Sequence, residues 1–199
     1  MRRLWLAFCV LACGAVIAGC AAAPKTLPPD QLATFRLAGV NVAFDPDARI
    51  AWGDGELAYV ASKGLPSTEV DQAAATPEGQ AYLRNAIASK VKAALQSSRV
   101  AERLRGSRPV RLDVTVKQFS VASVVRRAVI GGGHLMIGDV NLVDARTGEI
   151  ILARPGLIGY AAANAGVIGV IADQMLRDDP ADEVVRSYAT TYALWLLVG

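Results

Sequence analysis

The chain has 199 residues and carries 21 lysines and arginines against 18 aspartates and glutamates, a formal charge of +3. Removal of the first nineteen residues, which include Arg2 and Arg3, leaves 19 basic against 18 acidic residues. Because the remaining chain is nearly neutral, we do not expect it to bind nucleic acid. The three cysteines are Cys9, Cys13 and Cys20, which excludes disulfides and thiolate metal sites from the rest of the chain.

The first nineteen residues have the organisation of a secretory signal peptide. Arg2 and Arg3 precede an uncharged, largely apolar run from Leu4 to Ile17, which ends at the small residues Ala18-Gly19. A transmembrane helix needs about 20 apolar residues, and this run is shorter. We therefore expect residues 1–19 to direct export by the general secretory route and to be removed.

The segment Ile17-Ala18-Gly19-Cys20 resembles the lipobox of bacterial lipoproteins. The resemblance implies that Cys20 receives a diacylglyceryl group on its sulfur and, after cleavage, an acyl chain on its amino group. Two or more acyl chains anchor a protein stably to a membrane. Ala21 stands where an aspartate signals inner-membrane retention in enteric bacteria, so the resemblance favours the periplasmic face of the outer membrane. The alternative is an ordinary secretory signal with a chance cysteine.

A proline-containing segment follows Cys20. Pro24, Pro28 and Pro29 disfavour helix and strand and favour extended chain, so we expect residues 20–34 to form a lipidated tether. Residues 35–199 are then long enough for one periplasmic domain with its own core.

The first expected element of that domain is a strand. Leu37, Val40, Val42 and Phe44 predict a strand that begins near Phe35 and ends at the turn residues Asp45-Pro46-Asp47. A second, weaker strand is expected within Ile50–Val60, interrupted by Gly53-Asp54-Gly55.

A helix with a clear start and a clear apolar face comes next. Thr76-Pro77 supplies an N-cap and a proline at the first helical position. Leu83, Ile87, Val91 and Leu95 follow at intervals of four, which places them on one face. The helix is expected to end near Ser97-Ser98.

Three further strands are expected after this helix. Val110, Leu112, Val114 and Val116 alternate with polar residues, which predicts a strand with one buried and one solvated face and favours an antiparallel sheet. Strands over Leu135–Val143 and Glu149–Leu152 flank Asp144-Ala145-Arg146-Thr147-Gly148, which suits a hairpin loop.

The end of the chain is predicted to be helical. The segment Pro155–Ala172 is uncharged, and we expect it to pass into a short helix near Val167–Leu176. Asp179-Pro180 then starts a last helix with Val184, Tyr188, Tyr192 and Trp195 on one side. The element order predicts an α+β fold, a mostly antiparallel sheet with helices packed on one face.

The body of the chain is similar to small proteobacterial envelope lipoproteins of unassigned function. The similarity is carried by the hairpin Val143-Asp144-Ala145-Arg146-Thr147-Gly148-Glu149. It supports the fold and implies no activity.

Residues that could carry chemistry are few. His134 is the only histidine, so a zinc site is not expected, and we interpret it as a loop residue before a strand. Gly53-Asp54-Gly55-Glu56-Leu57-Ala58 fits a loose dinucleotide fingerprint, but a turn between strands explains it better. No catalytic residue, metal ion or cofactor is predicted.

Arginines cluster between the first long helix and the strand that follows. Arg103, Arg105 and Arg108 are the candidate binding residues, because guanidinium groups suit phosphate and carboxylate partners. The alternative is that they only complement the dipole of a helix C-terminus.

The leading hypothesis is a lipid-anchored, non-enzymatic binding or assembly component of the cell envelope. Its partner would be an envelope protein or an anionic glycan or lipid, besides the membrane that holds the acyl chains on Cys20. Two alternatives remain open: an envelope or cell-wall enzyme with dispersed carboxylates such as Asp113, Asp139 and Asp144, and a carrier of an apolar ligand.

Overall fold

The computed structural model describes residues 26–123, 132–163 and 179–198. Its centre is a four-stranded sheet with the strand order β1-β2-β3-β4, in which β1 and β2 are parallel and the other two pairings are antiparallel. The predicted α+β class with a mostly antiparallel sheet is confirmed. The strands are β1 (Phe35–Trp52), β2 (Arg108–Val121), β3 (Gly132–Asp144) and β4 (Ile150–Ala163).

Six helices lie within the described ranges. Four of them, with a 3-10 turn at Ser67–Glu69, form the connection between β1 and β2, as a parallel pairing requires. None of the six is long and apolar enough to cross a bilayer. The helices are α1 (Pro29–Thr34), α2 (Gly53–Ser62), α3 (Val70–Ala74), α4 (Pro77–Gln96), α5 (Arg99–Arg103) and α6 (Pro180–Val198).

The long helix α4 forms as its sequence predicts. The Thr76 hydroxyl accepts a hydrogen bond from the Gly79 amide at 3.1 Å, and Pro77 occupies the first turn. The four apolar residues at intervals of four are all buried, and they join α6 and the sheet in one core. Because α4 contacts β1, α6 contacts β3 and β4, and the two helices also contact each other, both long helices cover the same face of the sheet.

The first strand differs from the expectation. Asp45-Pro46-Asp47 does not reverse the chain, because β1 continues to Trp52 with a register irregularity between Phe44 and Arg49. The Asp45 carboxylate accepts the Asp47 amide at 2.9 Å, so the turn chemistry closes a local bulge. The expected strand over Ile50–Val60 is also wrong beyond Trp52, where α2 begins.

The hairpin between β3 and β4 is confirmed. Gly148 adopts a φ of 78°, which favours glycine, and its amide donates to the Asp144 carbonyl. The strand β4 is longer than expected, because part of the uncharged segment, from Pro155 to Ala163, continues it. The helix expected near 167–176 lies outside the described residues.

The last helix begins after Asp179, whose carboxylate accepts the Ala181 amide at 2.9 Å. Tyr188 packs where β3 and β4 lack side chains: a Cβ at Gly159 would lie 2.6 Å from the Tyr188 Cβ, and one at Gly138 would lie 3.0 Å from its hydroxyl. Burial, with a smaller contribution from Asp139, raises the pKa of Tyr188 above its usual range. The sequence places Tyr188 on the buried face, but only the structure shows the two glycines that receive it.

The folded domain begins before Phe35, the position expected from the sequence. Leu27 and Leu32 are 8% exposed and belong to the core, and Pro29–Thr34 is helical. Residues 26–34 are therefore part of the domain and not of an extended tether. The predicted signal peptide and Cys20 lie outside the described residues.

Candidate binding groove and the arginine cluster

A groove of about 1190 Å³ runs between α4, α5 and α6. The residues that line it belong to these three helices and to the turn between α4 and α5. Ala93 and Ala94 of α4 face Ala189 and Ala193 of α6 across it. These small side chains leave space that larger residues would fill. Its volume is similar to that of sites that bind small organic molecules, which commonly measure about 300–1,000 Å³. We call it the helical groove.

An ion-pair cluster closes one part of the helical groove. The Lys90 ammonium group lies 2.8 Å from a carboxylate oxygen of Asp179 and 2.7 Å from one of Asp182. Partial burial lowers the pKa of Lys90, but the hydrogen bonds to both aspartates outweigh this effect and raise it. Lys90 therefore joins the middle of α4 to the start of α6 and has a structural role.

Exposed arginines lie where α4 ends. Arg99 and Arg103 of α5 line the helical groove, and neither has an ion-pair partner among the residues that the structure describes. The backbone of Arg105 forms an isolated antiparallel β-bridge with the backbone of Arg36, at the start of β1. We call these four exposed residues the basic end.

Of the predicted trio Arg103, Arg105 and Arg108, only Arg108 is held in an ion pair among the residues that the structure describes. Arg103 faces the helical groove, and Arg105 lies beside β1. Arg108 binds the Asp144 carboxylate through Nε at 3.0 Å and Nη2 at 2.9 Å, and its guanidinium lies 5.4 Å from the centre of the Phe35 ring. The first two remain candidates for an anionic partner, whereas Arg108 holds the hairpin to the start of β2.

The Asp144 carboxylate organises the hairpin loop. It accepts the amides of Arg146 at 2.9 Å and Thr147 at 3.2 Å, besides the Arg108 guanidinium. These hydrogen bonds, that of the Arg146 amide foremost, lower the pKa of Asp144 to about 2.

Asp144→Ala is expected to lower the melting temperature at neutral pH, because it leaves turn amides and Arg108 without their acceptor. An unfolded aspartate has a pKa of about 3.9, so the stabilisation is present above pH 4 and is lost as the pH falls through about 2. The difference in melting temperature between wild type and Asp144→Ala should therefore shrink across this window. Glu149→Ala, an exposed change in the same hairpin, is the control, and a pH-independent difference would contradict the assignment.

The other two candidate carboxylates are also held in ion pairs. Asp113 binds the Arg111 guanidinium at 2.6 and 2.9 Å. Asp139 lies 2.7 Å from the Lys117 ammonium and accepts the Gly156 amide at 2.8 Å. Burial raises the pKa of Asp139, but these two hydrogen bonds outweigh it and lower the pKa. Both carboxylates therefore stabilise the sheet on the face that carries no helix.

Histidine chemistry finds no support in the described part of the chain. His134 is 2% exposed and lies within β3, not in a loop before it. No group of three histidine, cysteine, aspartate or glutamate side chains in the described ranges could hold a metal ion. The predicted dinucleotide-like segment from Gly53 to Ala58 forms the start of α2, where Gly55 packs on the Trp52 ring.

Sequence reasoning missed the helical groove and Arg99 as one of its lining residues. The alanines offer a signal for it, because Ala189 and Ala193 repeat at helical spacing on one side of α6 and Ala93 and Ala94 are adjacent on α4. Nothing local shows that these two helices, more than eighty residues apart, face each other.

Part of the chain is similar to a family whose function is not known. Residues 84–181, just under half of the chain, match a family of unknown function, DUF6778. The matched stretch includes β2, β3 and β4. No protein of curated function matches the chain.

Two solved structures show a distant likeness. One is described as a "putative lipoprotein" from Caulobacter crescentus, with 18% identity and a TM-score of 0.35, covering 56% of this chain and 81% of that one. The other is a PelC dodecamer from Paraburkholderia phytofirmans, with 12% identity and a TM-score of 0.33, covering 85% of this chain and 93% of that one.

Proposed function

We propose that this chain is a lipid-anchored protein of the bacterial cell envelope whose folded domain is a non-enzymatic binding component. Acyl chains on Cys20, including an amide-linked chain such as palmitate, hold it to the periplasmic face of the outer membrane. The helical groove is its binding site. It takes the apolar part of an envelope partner, and the basic end takes the partner's anionic part.

The observation that carries this proposal is the helical groove itself, because it combines an apolar side with exposed arginines. Val185, Ala189 and Leu197 contribute apolar surface, and Arg99 and Arg103 lie beside it. A protein partner or a lipid with an anionic group satisfies both features. Forked guanidinium groups match carboxylate and phosphate geometry.

An enzymatic function is less well supported by the same structure. The three carboxylates considered as acid or base candidates are each bound to a basic side chain. A pair of facing carboxylates with separate roles is the arrangement that hydrolysis of a glycan commonly uses. In this chain the carboxylates instead stabilise the sheet and its hairpin.

The helical groove can be tested by in-cell photo-crosslinking. A photoreactive amino acid at position 97, which lines the groove, is expected to capture a partner, whereas one at position 62 on α2 should not. Ala93→Trp should abolish the capture, because the indole fills the groove. Ala81→Trp, an exposed change on the same helix outside the groove, is the matched control. Equal capture from both positions, or capture that survives Ala93→Trp, would contradict the proposal.

A further inference from the structure

Charge is unevenly distributed along the axis of the sheet. From α2 to the first turn of α4 the chain carries five carboxylates and one lysine. From Ser97 to Arg108 it carries four arginines and one glutamate. Because β1 and β2 are parallel, the first segment follows the end of β1 and the second precedes the start of β2, so they lie at opposite ends of the sheet. The connection between β1 and β2 is therefore acidic at one end of the sheet and basic at the other, while the hairpin at the basic end of the sheet adds Asp144, Glu149 and Arg146.

The domain begins at the basic end. The Phe35 carbonyl accepts the Gly106 amide at 2.6 Å, and the Leu104 carbonyl accepts the Leu37 amide at 3.1 Å. A Cβ at Gly106 would lie 2.2 Å from the carbonyl atoms of Thr34, so only glycine fits against the end of α1. The arginine-rich connection is therefore held against the first folded residues.

The chain between Cys20 and the core is short. Leu27 is buried, so seven residue steps separate it from Cys20. At about 3.5 Å a step, the fully extended chain spans roughly 25 Å. The strand β1 is eighteen residues long and carries α2 and its carboxylates at its other end. At about 3.3 Å a residue, that end lies roughly 55 Å further along the sheet. The end of the domain closest to the anchor is thus the basic one.

We infer that the basic end docks on the anionic phospholipid headgroups of the same bilayer in which Cys20 is anchored. This inference rests on the proposed function and names the anionic partner as a lipid surface. Arg36, Arg99, Arg103 and Arg105 face the headgroups, and the carboxylates at the other end of the sheet stay away from a surface that would repel them. The anchor keeps these arginines within reach of the surface, and their attraction orients the domain.

Orientation in reconstituted membranes tests the inference. Since the mature chain has Cys20 as its only cysteine, Ser107→Cys and Ser67→Cys each introduce one free thiol, at the basic end and near α3 respectively. Both positions are exposed. The acylated full-length protein, labelled at either thiol with a fluorophore, is reconstituted into phosphatidylcholine vesicles with or without phosphatidylglycerol, with a quencher attached to the headgroups.

The label at position 107 is expected to be quenched strongly in the anionic vesicles and weakly in the neutral ones, while the label at position 67 changes little. A basic residue near an anionic surface contributes about fivefold to partition. Arg103→Gln/Arg105→Gln should therefore shift the docked-to-free ratio more than about tenfold. Arg49→Gln/Lys63→Gln removes the same charge elsewhere and should leave the ratio unchanged. Added salt should also lower the docked-to-free ratio, as Arg103→Gln/Arg105→Gln does, because exposed charges are screened over about 8 Å at physiological ionic strength.

Equal quenching at position 107 in both kinds of vesicle, or quenching insensitive to Arg103→Gln/Arg105→Gln, would overturn the inference. So would arginine-dependent binding to peptidoglycan fragments without binding to anionic vesicles. Failure of the anchor is seen separately, as a wild-type chain that carries no acyl group and does not float with neutral vesicles. In that case, docking is tested by sedimentation of the chain with anionic vesicles. If the fraction that sediments does not depend on Arg103 and Arg105, docking is refuted.

Discussion

Cys20→Ala is expected to abolish incorporation of a labelled fatty acid and to release the protein from the membrane fraction. The physical reason is the loss of the acyl chains, because each buried methylene contributes about 0.8 kcal/mol to membrane partition. The interactions of the basic end depend on salt and cannot replace an anchor of this strength. Labelling in growing cells, followed by membrane fractionation at high salt, measures the effect.

The control for this experiment is Ser107→Ala, an exposed change that leaves the lipobox intact and should keep both label and fractionation. The variant Cys13→Ala, inside the segment expected to be removed, should also behave as wild type. Fatty-acid label that persists in Cys20→Ala would refute the anchor. Label that is also lost in Cys13→Ala would show a general export defect, and only the difference between the two cysteine variants supports lipidation at Cys20.

Ile87→Asp is expected to destabilise the domain by about 3–5 kcal/mol. Ile87 is fully buried in the centre of the apolar face of α4, among Leu83, Val91 and the residues of β1 and α6. A carboxylate there would be buried without a partner, at a cost that belongs among the largest of single substitutions. Since single domains are stable by about 5–15 kcal/mol, this is a large part of the total. Urea unfolding of the purified protein measures it.

Ser89→Asp provides the comparison for that substitution. It adds the same charge two residues further along α4, at an exposed position, and should change stability by less than about 0.5 kcal/mol. A midpoint for Ile87→Asp within that range of wild type would mean that α4 does not bury this face.

Three elements can be predicted from sequence patterns that lie within the element itself: α4, the buried face of β2, and the hairpin between β3 and β4. The Thr76 cap, Pro77 and four apolar residues at helical spacing specify α4 within a few residues. Alternation over Val110–Val116 specifies the buried face of β2. The hairpin after Val143 follows from an aspartate and a glycine at positions where the turn needs a side-chain acceptor and a positive φ.

The candidate site was predictable only in part, because ion pairing depends on tertiary contacts. The arginine cluster was visible in the sequence, and Arg103 and Arg105 remain exposed. Arg108 is bound to Asp144, thirty-six residues away, by a contact that forms only after β2 pairs with β3. Arg99 is not among the binding residues predicted from the sequence, but in the structure it lines the helical groove that α6 forms with α4 and α5.

The sequence by itself determined the α+β class, the two long helices with their buried faces, β2 and the hairpin, since each depends on contacts within about twenty residues. Tertiary structure decided the course of β1 past Asp45-Pro46-Asp47. Turn residues there close a bulge because pairing with β2 stabilises extended chain on both sides. Tertiary structure also decided the parallel pairing of β1 with β2 and the extension of β4 to Ala163. These features depend on partners more distant in the chain or on packing against α6, and no local pattern encodes such partners.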